Sequence, residues 1–270
     1  MMVSRASLSR FSVALTACAM VILLGGCASE PTKAGTFFDQ SQPLGQGTIR
    51  TFTTTDAAGD PTEVGLRVSA AALDGLPPED TVPPTMINLK LPPQASKTVF
   101  DHVMFNWNSH GHDPAVLFGK PHFDFHFYLT DPESVMAIDP SVPDFATKAA
   151  HMPDPRYVPV DYVLPPGSAI DNAVPAMGLH WTDKAENMVP GQYDFQQTFI
   201  NGTWDGKYTF MEPMMTREWM LTRATVDQPV KQPAAYQRTG YYPATYSVRY
   251  DDTAKEYVIS LGGLTMRQAS

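Results

Sequence analysis

The sequence predicts a mainly β protein, a single antiparallel β barrel or sandwich with long proline-rich loops. Several short segments alternate apolar and polar residues with a period of two, which is typical of half-buried strands. The 25 prolines cluster between these segments, where they prevent long helices. Helical patterns are confined to two short pieces near residues 142–150 and 216–222, the second with Thr216 as a candidate cap.

The alternating segments define faces that should pack in the core. Two such faces precede the histidine-containing segment at residues 110–126. One is formed by Ile87, Leu89 and Leu91, and the other by Val103, Phe105 and Trp107.

The clearest hairpin lies at residues 195–214, where Asp205 and Gly206 are a strong two-residue turn signal. A regular hairpin around this turn pairs Lys207 with Trp204 and Glu212 with Phe199. It would also place Glu212 on the face that carries Tyr208, Phe210 and Phe199. A second hairpin is expected near the end of the chain, with strands near 244–250 and 255–262.

The N-terminal segment has the order of an export signal. Arg5 and Arg10 precede a mostly apolar run over residues 11–24, which is too short to span a bilayer as a helix. The run ends in Leu24-Gly25-Gly26-Cys27, which resembles the lipobox of bacterial lipoproteins. That resemblance implies lipid attachment to Cys27 and cleavage before it.

This pattern divides the chain into a signal peptide (1–26), a lipidated tether (27–46) and a single mainly β domain (47–270). Lipid on Cys27 would anchor the protein to the membrane of the cell envelope. No Asp stands at the second mature position, and the lipoprotein resemblance then implies an outer-membrane location facing the periplasm.

Composition excludes several classes of function. The formal net charge of −9 argues against nucleic acid as a partner. The two cysteines, Cys18 and Cys27, both fall in the leader region, so the mature domain has no thiol nucleophile. The sequence also lacks the glycine-rich and serine motifs of nucleotide-binding proteins and serine hydrolases.

Four of the seven histidines fall between residues 110 and 126. In a strand over residues 121–128, the phenylalanines would point to one face and His122, Asp124 and His126 to the other. His122 and His126 would be about 13 Å apart in a straight strand, so sharing one ion requires a bulge or strong curl. The spacing allows a His–Asp pair with ligands from elsewhere, or two sites with His110-Gly111-His112 feeding the one nearer His122.

Two remote segments offer further ligands. His180 stands between apolar residues beside Gly178, and Glu212 stands among aromatic and methionine residues. A carboxylate in such surroundings needs a compensating partner, which a metal, a histidine or Arg217 would supply. His102 and His151 show no pattern that connects them with these groups.

The segments PHFDFHFY (121–128), MGLHW (177–181) and FMEPMMT (210–216), in this order, resemble the hallmark blocks of an uncharacterised family of exported bacterial proteins. The resemblance covers about residues 48–222 and implies no established activity. It matches the positions His112, His122, Asp124, His126, His180 and Glu212.

The leading hypothesis is a divalent metal site, with zinc as the first candidate, held by a subset of His122, Asp124, His126, His180 and Glu212, with His112 as a possible extra ligand. Asp124 or Glu212 could serve as general base in a small-molecule hydrolase or lyase, beside a pocket formed by Trp181, Tyr208 and Phe210.

Two alternatives remain open. In the first, the histidines form a structural polar cluster, or the polar face of an edge strand, in a non-catalytic protein that binds a small-molecule ligand or assembles with itself. In the second, the methionines around Glu212 join the histidines in handling copper.

Overall fold

Two antiparallel sheets pack face to face and form a sandwich. The computed structural model describes residues 34–77 and 85–270. The expected signal peptide, Cys27 and the start of the tether therefore lie outside the described residues.

The strands in chain order are β1 (Gly35–Phe38), β2 (Gln42–Leu44), β3 (Gly47–Thr55), β4 (Pro61–Ser69), β5 (Thr85–Lys90), β6 (His102–Asn108), β7 (His122–Tyr128), β8 (Tyr162–Val163), β9 (Ala173–Val174), β10 (Gly178–Asp183), β11 (Gln197–Trp204), β12 (Lys207–Thr216), β13 (Val226–Pro229), β14 (Gly240–Tyr242), β15 (Thr245–Asp251), β16 (Glu256–Gly262) and β17 (Thr265–Arg267). The α-helices are α1 (Ala115–Phe118), α2 (Pro132–Met136), α3 (Phe145–Ala150) and α4 (Arg217–Leu221). Short 3₁₀ helices cover Ala70–Leu73, Pro93–Lys97, Pro155–Tyr157 and Lys184–Glu186.

Sheet 1 has the strand order β1-β3-β4-β16-β15-β13, with β2 also paired to β3. Sheet 2 has the order β5-β6-β7-β12-β11-β10-β8, with β9 also paired to β10, and β14 and β17 form a separate pair. Within the described residues neither sheet closes on itself, so the fold is a sandwich rather than a barrel. The predicted mainly β class is confirmed.

The main core fills the space between the two sheets. Sheet 1 contributes residues such as Leu66 and Ile259, and the predicted face of β7 contributes Phe123, Phe125 and Phe127. The ring centroids of Phe105 and Phe125 lie 5.5 Å apart, which joins β6 to β7 within this core. The two predicted core faces, on β5 and β6, also lie here.

A second apolar cluster covers the opposite face of sheet 2. This outer cluster consists of Met104, Phe118, Tyr128, Val135, Phe195, Ile200, Phe210 and Met214, contributed by α1, α2, the segment before β11 and the strands themselves. Because of this cover, both faces of β7 are buried along its whole length. β7 is also a central strand between β6 and β12, so the edge-strand interpretation of its histidines is wrong.

The hairpin of β11 and β12 contains the predicted turn and an unpredicted bulge. Asp205 and Gly206 both have positive φ, and Trp204 pairs with Lys207 as expected. Beyond the turn, Thr203 pairs with Tyr208 and Gly202 with Phe210, so one extra residue, Thr209, is inserted in β12.

The bulge changes which residues share a face. Glu212 lies opposite Ile200, not Phe199 as predicted. Phe210 faces the outer cluster, as Met214 does, whereas Tyr208 and Phe199 pack against the main core. The expected common face of Glu212, Tyr208 and Phe199 is therefore wrong, since the extra residue reverses the alternation below it.

The β domain begins earlier in the chain than predicted. Residues 35–44, expected within the tether, form β1 and β2 and pair with β3. Leu44 is only 4% exposed, and Phe38 stacks near Phe52 with ring centroids 6.3 Å apart. The glycine- and proline-rich composition indicated a tether, but the unpaired edge of β3 supplies hydrogen-bond partners that order this segment.

The other local predictions are confirmed. The C-terminal hairpin is β15 and β16, and the two short helical pieces are α3 and α4. The Thr216 hydroxyl accepts a hydrogen bond from the Trp219 amide at 3.1 Å and caps α4. Among the described residues, no helix has the length and apolar character needed to cross a membrane.

We expect a chain that begins at residue 47 to be less stable than one that begins at residue 34, because it lacks β1 and β2 and the burial of Leu44. Loss of this one side chain alone should lower the free energy of unfolding by about 2 kcal/mol. Urea denaturation of the two chains measures the difference. Equal midpoints would contradict a structural role for residues 35–44 and would restore the tether interpretation.

Candidate metal centre

A group of polar side chains lies beneath the outer cluster, on the face of sheet 2 that points away from sheet 1. β7 contributes His122, Asp124 and His126, which are at most 2% exposed. β12 contributes Glu212, which is 1% exposed, and β10 contributes His180. Burial of so many ionisable groups on one face is costly unless they satisfy one another or bind a cation.

Together with His112, from the loop after β6, these side chains form two groups of three. The first, here called the His112 trio, is His112, His122 and Asp124, and the second, the Glu212 trio, is His126, His180 and Glu212. In each trio, one nitrogen or oxygen atom from every residue lies within 4.8 Å of the others. His122 and His126 thus belong to different trios, as their separation along a straight strand requires.

The His112 trio is oriented by backbone carbonyl groups. His122 Nδ1 lies 2.7 Å from the Lys120 carbonyl oxygen, and His112 Nδ1 lies 2.9 Å from the Asp113 carbonyl oxygen. A carbonyl oxygen only accepts, so each Nδ1 carries the proton and each Nε2 presents a lone pair. Histidines that bind metals are commonly oriented in this way.

Both Nε2 atoms are near the Asp124 carboxylate. The distance from His122 Nε2 to Asp124 Oδ1 is 3.2 Å, and the distance from His112 Nε2 to Asp124 Oδ2 is 3.9 Å. In a neutral imidazole with the proton on Nδ1, the lone pair of Nε2 points at the lone pairs of the carboxylate oxygen, and the two repel each other. A proton on Nε2 or a metal ion between these atoms removes the repulsion.

Asn108 also belongs to this site, although it was not among the predicted ligands. Its amide nitrogen donates to Asp124 Oδ2 at 2.6 Å and lies 3.2 Å from His122 Nε2. Asn108 lies opposite His122 in the pairing of β6 with β7. The alternation that predicts Trp107 in the core also predicts that Asn108, the next residue of the strand, points to the opposite face.

The Glu212 trio brings together three different strands. His126 Nε2 lies 3.1 Å from Glu212 Oε1, and His180 Nε2 lies 3.7 Å from Glu212 Oε2. His180 is the least buried member, with a side chain that is 18% exposed. The partners of Glu212 are therefore histidines, and Arg217, the alternative partner, instead lies 3.6 Å from Asp74.

Gly202 makes room for the Phe210 ring beside this trio. The Phe210 ring lies 4.9 Å from the His126 ring and 5.0 Å from the His180 ring, measured between centroids. A Cβ atom on Gly202, which pairs with both His180 and Phe210, would lie 2.0 Å from the Phe210 ring. Only glycine allows the ring to occupy this position.

Pro213 interrupts the ladder between β12 and β7 at the Glu212 trio. Pairing runs through Met211 with Phe127 and resumes at Met214 with Asp124, so Glu212 and Pro213 are skipped. Proline has no backbone N–H and is rare in central strands. The strand spacing at Glu212 and His126 is therefore not fixed by ladder hydrogen bonds.

Burial and mutual charge set the protonation states of the Glu212 trio. Burial raises the pKa of Glu212 well above its usual value, and the negative charge of Asp124 raises it further. Burial also lowers the pKa of His126 to about 3 and that of His180 to about 4. Burial therefore favours the neutral form of all three groups when no metal is bound.

The His112 trio has the opposite character. Burial alone would raise the pKa of Asp124, but the adjacent His122 outweighs this effect and lowers the pKa well below its usual value. The pKa of His122 is raised because the attraction of Asp124 exceeds the effect of burial. The carboxyl pKa is thus lowered in one trio and raised in the other.

The expected aromatic pocket is only partly at the site. Phe210 contacts the Glu212 trio, but Tyr208 points to the other face because of the bulge, and its hydroxyl donates to Asn201. Trp181 follows His180 in β10 and so points away from it, with Nε1 donating to Thr203 Oγ1 at 2.8 Å. The prediction of a pocket with all three residues is wrong.

The remaining histidines lie outside both trios. His110, expected beside His112, lies 3.3 Å from Ser109 Oγ through Nδ1. His151 Nδ1 lies 2.8 Å from Asp205 Oδ1 and thereby contacts the hairpin turn. His102 is buried and stacks on Tyr128 with ring centroids 5.0 Å apart.

Comparison with known proteins gives limited information. A family model described as "TTHB210-like: Hypothetical protein TTHB210" matches residues 56–107, which relates this part of the chain to uncharacterised proteins. The matched segment ends before His112 and so contains no member of either trio. Searches of curated proteins and of solved structures give no match.

We expect Gly202→Ala to damage the Glu212 trio selectively, because the new methyl group displaces the Phe210 ring from its place beside His126 and His180. Near-UV circular dichroism should show the aromatic rearrangement, and any metal bound at this trio should be lost or weakened. Gly35→Ala is the matched control, since a Cβ atom there meets only the Phe37 ring at 3.9 Å and the backbone does not require glycine. An unchanged aromatic spectrum would show that the ring has other space available.

Proposed function

We propose that this protein is a lipid-anchored protein of the bacterial cell envelope that binds two divalent metal ions, one in each trio, with zinc as the first candidate. The observation that carries the proposal is the convergence of two histidines and one carboxylate, twice, at one face of the same sheet, where five of the six side chains come from its strands and His112 from the loop after β6. Imidazole and carboxylate groups are ligands that zinc, manganese and iron accept.

The geometry suits metal ions after small side-chain movements. Ligand atoms around a tetrahedral zinc ion are about 3.3 Å apart, given zinc–nitrogen distances of about 2.0–2.1 Å. The closest pairs, at 3.1 and 3.2 Å, already match this spacing. The widest separations, up to 4.8 Å, require shifts on the order of 1 Å, which rotation of the exposed His112 and half-buried His180 can supply.

Unpartnered atoms support the same proposal. Asp124 Oδ1, Glu212 Oε2 and both ring nitrogens of His126 are buried without a hydrogen bond of acceptable geometry in the described part of the chain. Each such atom costs about 1–3 kcal/mol if nothing binds it. A metal ion in each trio would satisfy the atoms that face it.

Metal binding is better supported than a particular reaction. A site with three protein ligands leaves one position for water or substrate, so hydrolysis or elimination is chemically accessible. However, Asp124 and Glu212 would both be ligands, which leaves neither free as a general base. The two described cavities, of which the larger has a volume of about 580 Å³, are lined by residues outside both trios.

The proposed location depends on the leader sequence. Arg5, the apolar run and the lipobox-like residues before Cys27 favour export and lipid attachment, and the lack of Asp after Cys27 favours the outer membrane. The membrane is then the partner of the lipid, and a small molecule would reach the sheet from the periplasm. The block resemblance over residues 121–128, 177–181 and 210–216 supports grouping this chain with exported proteins.

Copper is a second candidate because of two buried methionines. Met104 pairs with His126 across β6 and β7, and Met214 pairs with Asp124 across β12 and β7. Thioether sulfur is a soft ligand that favours Cu⁺, so these side chains could join the adjacent trios.

We expect the purified protein to contain, or take up, two divalent ions per chain and to gain thermal stability from them. His122→Ala and His126→Ala should each remove one ion, because each removes a ligand from one trio, whereas His151→Ala, an exposed histidine outside the trios, should remove none. Elemental analysis and thermal denaturation before and after chelation measure these effects. The proposal is contradicted if the protein binds no zinc, manganese, iron or copper and its melting temperature does not change when these ions are added. A preference for copper over zinc in competition would favour the second candidate.

Metal binding should depend on pH differently at the two trios. Since the pKa of Glu212 is raised, metal binding there displaces the carboxyl proton, and the affinity should fall as pH falls. The pKa of Asp124 is lowered and that of His122 is raised, so the proton displaced at the His112 trio comes from an imidazolium and not from a carboxyl group. Calorimetry in buffers of different ionisation enthalpy measures the released protons. The His122→Ala protein retains only the Glu212 trio, and absence of proton release when it binds metal would contradict the raised pKa of Glu212.

Cys27→Ser should move the protein from the membrane fraction to the soluble periplasmic fraction, because it removes the proposed site of lipid attachment. Incorporation of labelled fatty acid, followed by cell fractionation, measures both steps. Cys18→Ser is the matched control and should leave both unchanged. A Cys27→Ser protein that is still acylated would refute the lipobox interpretation.

A further inference from the structure

Asn106 is a buried amide without a hydrogen-bond partner. It lies in the middle of β6, is 0% exposed and is flanked by core residues on the opposite face of the strand. Neither its side-chain oxygen nor its side-chain nitrogen has a hydrogen bond within the described part of the chain. An amide buried in this state is costly, so a partner is expected at this point.

The position of Asn106 relates it to the His112 trio. Asn106 lies directly opposite Asp124 in the pairing of β6 with β7, and the next residue on its face is Asn108, which donates to Asp124. Side chains directly opposite in an antiparallel pair have Cβ atoms about 4.5–5.5 Å apart, whereas diagonal neighbours, here both His122 and His126, are about 7–8 Å away. Asp124, the directly opposite residue, therefore decides to which trio Asn106 is nearer.

Asp124, which lies opposite Asn106, also has a carboxylate oxygen without a hydrogen bond. Its Oδ2 accepts from Asn108, whereas its Oδ1 has no hydrogen bond and lies 3.2 Å from His122 Nε2. Asn106 and Asp124 thus each have buried polar atoms without a hydrogen bond. A cation that takes an oxygen from each of them would account for both.

We propose that the Asn106 amide oxygen is the fourth ligand of the metal ion held by His112, His122 and Asp124. This inference rests on the proposed metal-binding function and assigns different roles to the two trios. The His112 trio becomes a closed site with two nitrogen and two oxygen ligands, as in structural metal sites. The Glu212 trio keeps three ligands, so the position open to water or substrate lies beside His180.

The test uses two parent variants, each of which retains one trio. His180→Ala disables the Glu212 trio, and His112→Ala disables the His112 trio. Asn106→Leu, a substitution of similar size, is then added to each, and Zn²⁺ and Co²⁺ affinities are measured by calorimetry and by the visible absorption of Co²⁺. In the His180→Ala parent, we expect Asn106→Leu to weaken affinity by at least about 10-fold and to reduce the strong absorption of four-coordinate Co²⁺. In the His112→Ala parent, affinity should not change.

Two further variants make the result specific. Asn88→Leu is the matched control, because Asn88 lies on the same face but is exposed on β5. It should leave both affinities unchanged. Asn106→Asp keeps a ligand oxygen and should preserve binding in the His180→Ala parent, which also covers the case in which the leucine variant does not fold.

Stability without metal gives an independent readout. Asn106→Leu should unfold at the same urea concentration as its parent or at a higher one, because it removes an unpartnered amide from the interior.

The outcomes separate this inference from the function on which it rests. Unchanged affinity in the His180→Ala parent, or equal weakening in both parents, would overturn the role of Asn106 while leaving metal binding intact. Failure of the unsubstituted protein to bind any ion would instead overturn the proposed function, and this inference with it.

Discussion

The structure depends on burial of both faces of the second sheet. The inner face packs on the first sheet, as in any sandwich, but the outer face is also covered, by an apolar cluster that includes Phe118, Phe195 and Met214. Polar groups on this face cannot be hydrated, so histidines, carboxylates and asparagines must satisfy one another or bind a cation. The convergence of the two trios follows from this constraint.

Three local irregularities adapt a regular sheet to these groups. The extra residue Thr209 in β12 turns Phe210 and Glu212 toward the outer face, and Gly202 leaves space for the Phe210 ring. Pro213 releases β12 from β7 beside Glu212. Each of them weakens a sheet when considered alone, and each of them is at or next to the Glu212 trio. Departures from ideal strand geometry of this kind are concentrated at functional sites.

The sequence was sufficient for everything that depends on alternation and turn chemistry. It predicted the aromatic face of β7, the separation of His122 from His126 and both hairpins, because these follow from strand periodicity and from residues that tolerate positive φ. It did not predict the register below the Thr209 bulge, since no residue type marks an inserted position. It also missed the ordering of residues 35–44, whose glycine- and proline-rich composition does not show that they pair with β3. Asn108 follows from the same alternation as Trp107, but an asparagine alone does not indicate a metal site.

The presence of core and ligand residues in one strand has a consequence for how this protein can vary. Phe123 and Phe125 alternate with Asp124 and His126, so the insertion or deletion of a single residue here would exchange the two sets between faces. Aromatic rings would then occupy the polar layer, and charged groups would enter the apolar interior. The length of β7 is therefore constrained as strictly as its composition, and natural variants are expected to accumulate changes in the surrounding loops instead.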